Sequence, residues 1–128
     1  MSQRIALGLA LLAGVAIGAT AVNGLHAQNN APGAYAVIDI SEITNPDLFK
    51  TLLPKVGASN AAFGAHNVIL TEKIVGLDGT PPKRFIVLAF DSMEKAKAWD
   101  ASAAQKEITG IRTKSTKSRA FLADGAIK

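Results

Sequence analysis

No cysteine occurs among the 128 residues, which excludes disulfides, thiol nucleophiles, redox pairs and cysteine-based zinc sites and leaves packing to supply stability. Histidine is nearly absent: His26 falls in the apolar N-terminal stretch, so a metal site would have to be built from His66 and carboxylates. Neither a metal nor a cofactor is therefore expected. Aromatic residues make up 5% of the chain, with one Trp and one Tyr, and a nucleic-acid surface normally sets stacking aromatics within a basic patch. Only Arg112, Lys114, Lys117 and Arg119 cluster, and they read as a solvated turn and strand face, so no nucleic-acid partner is expected. Phosphate loops, dinucleotide fingerprints, hydrolase elbows, internal repeats and low-complexity tracts are all missing. Between Arg4 and Lys50 there is not one lysine or arginine, which removes any stop-transfer pattern.

What is present begins with that same stretch. Arg4 gives a short positive start, Ile5 to Val22 are uncharged and apolar, and Leu25-His26-Ala27 ends in a small residue suited to cleavage. The order of parts predicts a signal helix over 1–27, cut before Gln28, and hence a periplasmic or secreted protein. The competing reading is a retained anchor, which Gly8, Gly14 and Gly18 weaken, so membrane contact is expected only through an uncleaved signal. Losing Arg4 lowers the formal net charge from +4 by one, a mild basic bias. At 128 residues there is room for one domain. A polar, turn-rich leader over 28–33 precedes it, and the domain itself occupies 34–128.

Within the domain, Tyr35-Ala36-Val37-Ile38-Asp39-Ile40 alternates and is β-branched, predicting a first strand. Asn45-Pro46-Asp47 supplies a cap, a first-turn proline and an acid for a helix whose apolar stripe is Leu48, Phe49, Leu52, Leu53 and Val56. Pro54 and Gly57 predict an interruption in it, and Gly64 a left-handed end. Strands are expected over 67–75 and 84–90, joined by a long Gly- and Pro-rich tip. Asp91 or Ser92 caps a second helix carrying Met93, Ala96, Trp99 and Ala103, with the pattern resuming through Ile108 and Ile111. Residues 117–123 form the last strand. The sum is an α+β fold, the ferredoxin-like βαββαβ arrangement: a four-stranded antiparallel sheet with two helices on one face.

The other face of that sheet should be polar at alternate positions if water covers it. Instead, Phe85 to Phe90 is apolar without a break, and Tyr35 and Val37 add to the apolar surface. Several large side chains left wet would each forgo roughly 1.5–3 kcal/mol. The pattern predicts a homodimer that packs through the sheet face.

The stretch from Tyr35 to about Gly125 resembles the uncharacterised "domain of unknown function 1330" family of the dimeric α/β barrel superfamily. The residues that carry the resemblance are Asn45-Pro46, Phe49, Gly64, Arg84 leading into Phe85 to Phe90, Ser92-Met93-Glu94, Ala98-Trp99, Ser102 and Arg112. The chain departs from the family pattern at Asp91, where proline is common, at Asp100 and Gln105, where tyrosines stand, and at His66, where arginine is frequent. The resemblance implies a ferredoxin-like subunit whose sheet meets a partner's in a barrel-like dimer. It supplies no activity, because the superfamily spans cofactor-free monooxygenases, isomerases of small cyclic substrates and haem enzymes.

Three residues are candidates for catalysis. His66 could exchange protons near neutral pH or simply end a strand. Asp39, inside an apolar strand, needs a cation or hydrogen bonds, for which Arg84, His66 and Arg119 are the choices. Arg84 completes the set around an interfacial cavity. For ligand binding the candidates are Trp99, Ser102 and Arg112, each with a structural alternative: a core anchor for Trp99, and packing or capping for the others. The readings that follow are an exported homodimer binding a small, partly apolar molecule, a monooxygenase- or isomerase-like enzyme, and a structural envelope protein. A closed polar cavity holding Asp39 and Arg84 would favour the enzyme, and a solid core the structural protein.

Overall fold

The computed structural model describes residues 32–125. The expected signal and its cleavage point lie outside them. The elements are β1 (Ala34–Ile43), α1 (Pro46–Lys50), α2 (Leu53–Ala62), β2 (His66–Thr71), β3 (Arg84–Phe90), α3 (Met93–Ala101), α4 (Ala103–Ser115) and β4 (Thr116–Asp124). The four strands form one antiparallel sheet in the order β2-β3-β1-β4. This is the split βαβ order expected, with each of the two helical segments delivered in two pieces.

Local chemistry explains where those pieces start and stop. Asn45 Oδ1 accepts the Leu48 N–H at 3.1 Å, which opens α1. The interruption falls at Thr51 and Leu52, ahead of Pro54 and Gly57 where the sequence placed it. Pro54 lies in the first turn of α2, where its missing N–H costs nothing, so it starts a helix rather than breaking one. Gly57 is an ordinary interior residue of α2. Gly64, at φ +68°, turns the chain out, and the Ala65 N–H closes the end by donating to Asn60 O at 2.9 Å. Of the two caps proposed for α3, Ser92 is the one used: its Oγ accepts the Lys95 N–H at 3.1 Å, while Asp91 meets Lys95 Nζ at 3.2 Å. Ser102 separates α3 from α4, donating Oγ to Trp99 O at 2.7 Å and accepting the Gln105 N–H at 3.2 Å.

β2 is shorter than expected, ending at Thr71 rather than Val75. Thr71 pairs with Phe85, so extension in register would set Ile74 and Val75 against Pro82 and Pro81, which have no N–H to give. The ladder therefore stops, and Val75 and Leu77 at the tip are 85% and 98% exposed.

Side chains alternate cleanly across the sheet. Ala34, Ala36, Ile38 and Ile40 face the helices, packing with Leu88, Phe90, Ala96 and Trp99 at one end and with Phe49 and Leu52 at the other. Phe90 and Trp99 stack at 5.2 Å between ring centroids. Tyr35, Val37, Phe85, Val87 and Phe121 share the opposite, helix-free face, as their pairing shows. Val87 and Leu88 thus point to opposite sides; within the single subunit they are 8% and 2% exposed, whereas Phe121 is 49% exposed.

Candidate functional site

Between the sheet and the helices the packing is incomplete. A cavity of about 250 Å3 remains, floored by Ile38, Ile40, Ile86 and Leu88 and roofed by Phe49, Leu52, Val56 and Ile108. Its polar lining is sparse: Arg84, Arg112, Asn60, Asn67 and Gln105. Among the described residues, the lining contains no carboxylate, histidine, lysine or tyrosine. A second chamber of about 220 Å3 under β4 shares Trp99, Gln105 and Arg112 with the first, and Asp100 and Thr109 line it as well.

Strand pairing orders this cavity from one end to the other. Ile40 pairs with Arg84 on one side and with Ser118 on the other, and Ser118 Oγ accepts a hydrogen bond from Arg112 Nη1 at 2.9 Å. Arg84 and Ser118, the residue that holds Arg112, therefore flank β1 at a single level. One level further, Leu70, Ile86, Ile38 and Ala120 run across the sheet, and then Asn67, Leu88, Ala36 and Leu122. At that far end Trp99 Nε1 donates to Asn60 Oδ1 at 3.2 Å, both residues being buried. The cavity has a basic end and an uncharged end.

The two arginines are not equivalent. Arg84 Nη1 donates to Glu72 Oε1 at 2.7 Å, a carboxylate on the exposed side, and the Arg84 guanidinium carbon lies 5.8 Å from the centroid of the Phe49 ring. Arg112 has only the Ser118 hydroxyl and forms no ion pair among the described residues. Burial out of water lowers the Arg112 pKa from the ordinary arginine value, with the charge of Asp100 acting in the other direction. Both arginines keep a buried Nε–H that has no partner among the described residues.

The expected catalytic set does not assemble. Asp39 pairs with Phe85 in register and so lies on the helix-free face, where Arg119 Nη2 meets its Oδ2 at 3.2 Å. His66 opens β2 opposite Ala89 on that same face and is exposed. Arg84, one residue from Phe85, points to the other side, because a shift of one position along a strand reverses the face. Among the binding candidates, Trp99 and Arg112 line the cavity, and Ser102 is spent at the α3–α4 junction. Arg112 is half-buried, not the solvated residue of a basic turn.

Asn60 and Gln105 were missed. Their signal was positional: Leu52, Val56 and Asn60 recur every four residues, and Gln105, Ile108 and Arg112 fall on one stripe of α4, so polar residues interrupt two apolar faces. Gln105 accepts from Ser59 Oγ at 3.0 Å through its Oε1, which fixes the amide at the boundary of the two chambers. Among the described residues, no cluster of histidine and carboxylates could hold a metal ion, and no helix is long and apolar enough to cross a membrane.

A split-βαβ subunit with an amphipathic chamber between its sheet and its helices is the class that fold and site define. The chain belongs to the family described as "Domain of unknown function (DUF1330)", whose model matches residues 33–126. No curated protein matches it in sequence. Its fold is similar to that of a protein of unknown function from Rhodopseudomonas palustris, at TM-score 0.57 and 13% identity over 84% of this chain and 92% of that one. A dimeric ferredoxin-like protein of unknown function from Thermobifida fusca aligns at TM-score 0.55 and 13% identity, covering 73% and 92%. SnoaB, a cofactor-independent oxygenase from Streptomyces nogalater, aligns at 0.51 and 13%, covering 77% and 97%. At these identities the likeness is one of fold.

Proposed function

We propose that this protein is an exported homodimer that binds a small, partly apolar molecule between its helices and its sheet. One observation carries the reading: a cavity of about 250 Å3 with an apolar lining and two arginines whose buried Nε–H groups lack partners. Donors buried without partners cost free energy unless something accepts from them, and a few placed polar groups in an apolar concavity are the usual composition of a ligand site. Export rests on the leader in the sequence, and dimerisation on the helix-free face, where Phe121 is exposed and Tyr35, Val37 and Phe85 are half-buried around the buried Val87.

The enzyme reading has less to stand on. The oxygenase fold likeness carries no activity at 13% identity, and the cavity lining offers no group that takes or gives a proton near neutral pH. A purely structural protein has no use for an unfilled chamber in a small core. The test is native mass spectrometry on protein recovered from the periplasm: a dimer mass, an N-terminus at Gln28 and a copurifying small molecule are expected. A ligand-free monomer carrying the intact leader would refute the reading.

A further inference from the structure

The charge balance of the cavity says more about its occupant. Resting on the reading above, the geometry points to an amphipathic monocarboxylate as the ligand, its head between Arg84 and Arg112 and its apolar body directed toward Trp99. Three observations lead there. First, Arg84 on β3 and Ser118 on β4, whose hydroxyl holds Arg112 Nη1 from α4, flank Ile40 at one level of the sheet on strands two apart, or roughly 10 Å between backbones. Both arginines line the same cavity, and the planar fork of each donor set suits a carboxylate.

Second, the charges do not cancel. Glu72 already neutralises Arg84 from the exposed side, whereas Arg112 has a neutral hydroxyl for a partner. A half-buried cation with no ion pair among the described residues, offset only in part by the charge of Asp100, is costly, and one negative charge on the ligand reduces that cost. Third, the chamber beyond the arginines is floored by Ile38, Ile86 and Leu88 over two successive levels of the sheet, with Asn67 its one polar residue at those levels, and ends at the Trp99–Asn60 pair. A cavity of roughly 150 Å3 accepts benzene, so about 250 Å3 accommodates a ring with a short carboxylate-bearing chain, or an aliphatic acid of similar bulk.

The chain carries its own reporter, since Trp99 is its one tryptophan and lines the cavity. Full-length protein is titrated with benzoate, 3-phenylpropanoate and octanoate, each beside its primary amide, with Trp99 emission and calorimetry as readouts. At least one carboxylate is expected to bind about tenfold or more tightly than its amide. Arg112→Gln should weaken that carboxylate far more than its amide, closing most of the gap between the two. Arg84→Gln should cost less, because Glu72 shares its charge.

Equal binding of acid and amide by the wild type, or an Arg112→Gln loss that is the same for both, overturns the carboxylate assignment and leaves the pocket standing. No response to any of the six compounds at millimolar concentration overturns the pocket reading and the assignment together. Should Arg112→Gln fail to fold, Arg112→Lys keeps the charge and loses the planar fork; the acid must then still bind more tightly than the amide, by a smaller factor, and equal affinity again overturns the assignment.

Discussion

Phe121→Ala should separate the proposed homodimer while leaving the subunit folded. Phe121 stands on β4, beside Val37 on the helix-free face, and is 49% exposed in the single subunit. A phenylalanine presents on the order of 200 Å2 to burial, so about 100 Å2 is left for a partner to cover. At about 25 cal/mol per Å2 this amounts to about 2.5 kcal/mol, of which alanine would keep a minor part, leaving about 2 kcal/mol lost per copy. A twofold interface uses the residue twice, so the dimer loses about 4 kcal/mol, or about a thousandfold in its dissociation constant. Size exclusion with light scattering across a dilution series measures the shift directly. The wild type should show a dimer mass at micromolar concentration and the variant a monomer mass. A wild-type monomer, or a variant whose dimer affinity stays within a few-fold of wild type, would refute the claim that this face needs a second copy to keep it dry.

Two further substitutions probe the subunit itself. Asn60→Leu removes the acceptor of the buried Trp99 Nε1–H and should cost about 2 kcal/mol. For a domain of this size that is a fall of about 10 °C in a thermal melt, accompanied by a shift in Trp99 emission; an unchanged melt would mean that the hydrogen bond is not made in solution. Ser92→Ala deletes the α3 cap and should cost about 1 kcal/mol, with Ser92→Asp restoring most of it because aspartate caps equally well. If both variants fall alike in urea denaturation, the capping account is wrong.

The order and pairing of the elements were legible because they depend on patterns a few residues long. Alternation in Tyr35 to Ile40 set which side chains of β1 face the helices, and Asn45-Pro46 and Gly64 marked helix ends by local chemistry that no tertiary contact overrides. Where a boundary depended on a distant partner, the expectation slipped. β2 stops at Thr71 because Pro81 and Pro82 would have to pair beyond it, and that relation appears only once the register with β3 is known. Pro54 reads as a breaker because nothing within the helix reveals that the first piece has already ended at Lys50.

The site was less legible, for a reason of the same kind. Asp39, His66 and Arg84 attract notice as isolated polar residues, but a strand assigns faces by parity, and Asp39 and Arg84 reach one sheet from opposite parities relative to their pairing. Asp39 finds Arg119, eighty positions away, as its partner. Arg112 looked like part of a basic turn because Lys114, Lys117 and Arg119 follow it closely. On α4, however, it lies seven residues after Gln105, two helical turns along the stripe that meets the sheet.

β1 is where the two proposed roles meet. Its even positions, Ala36, Ile38 and Ile40, floor or adjoin the chamber, and its odd positions, Tyr35, Val37 and Asp39, belong to the face left for a second subunit. Ala34 and Ala36 are the smallest residues on the helix side, and they lie under Trp99 and Phe90, where bulk comes from the aromatic pair. At Ile40 the aliphatic floor continues, but its neighbours change from Leu88 and Ile86 to Arg84 and Ser118. The polarity of the chamber therefore arises from a change in what flanks β1 along its length, not from β1 itself. A strand so placed can serve a pocket and an interface at once by staying apolar from Ala34 to Ile38, and its two charges, on Asp39 and Glu42, are each met by a cation from neighbouring β4, Arg119 and Lys117.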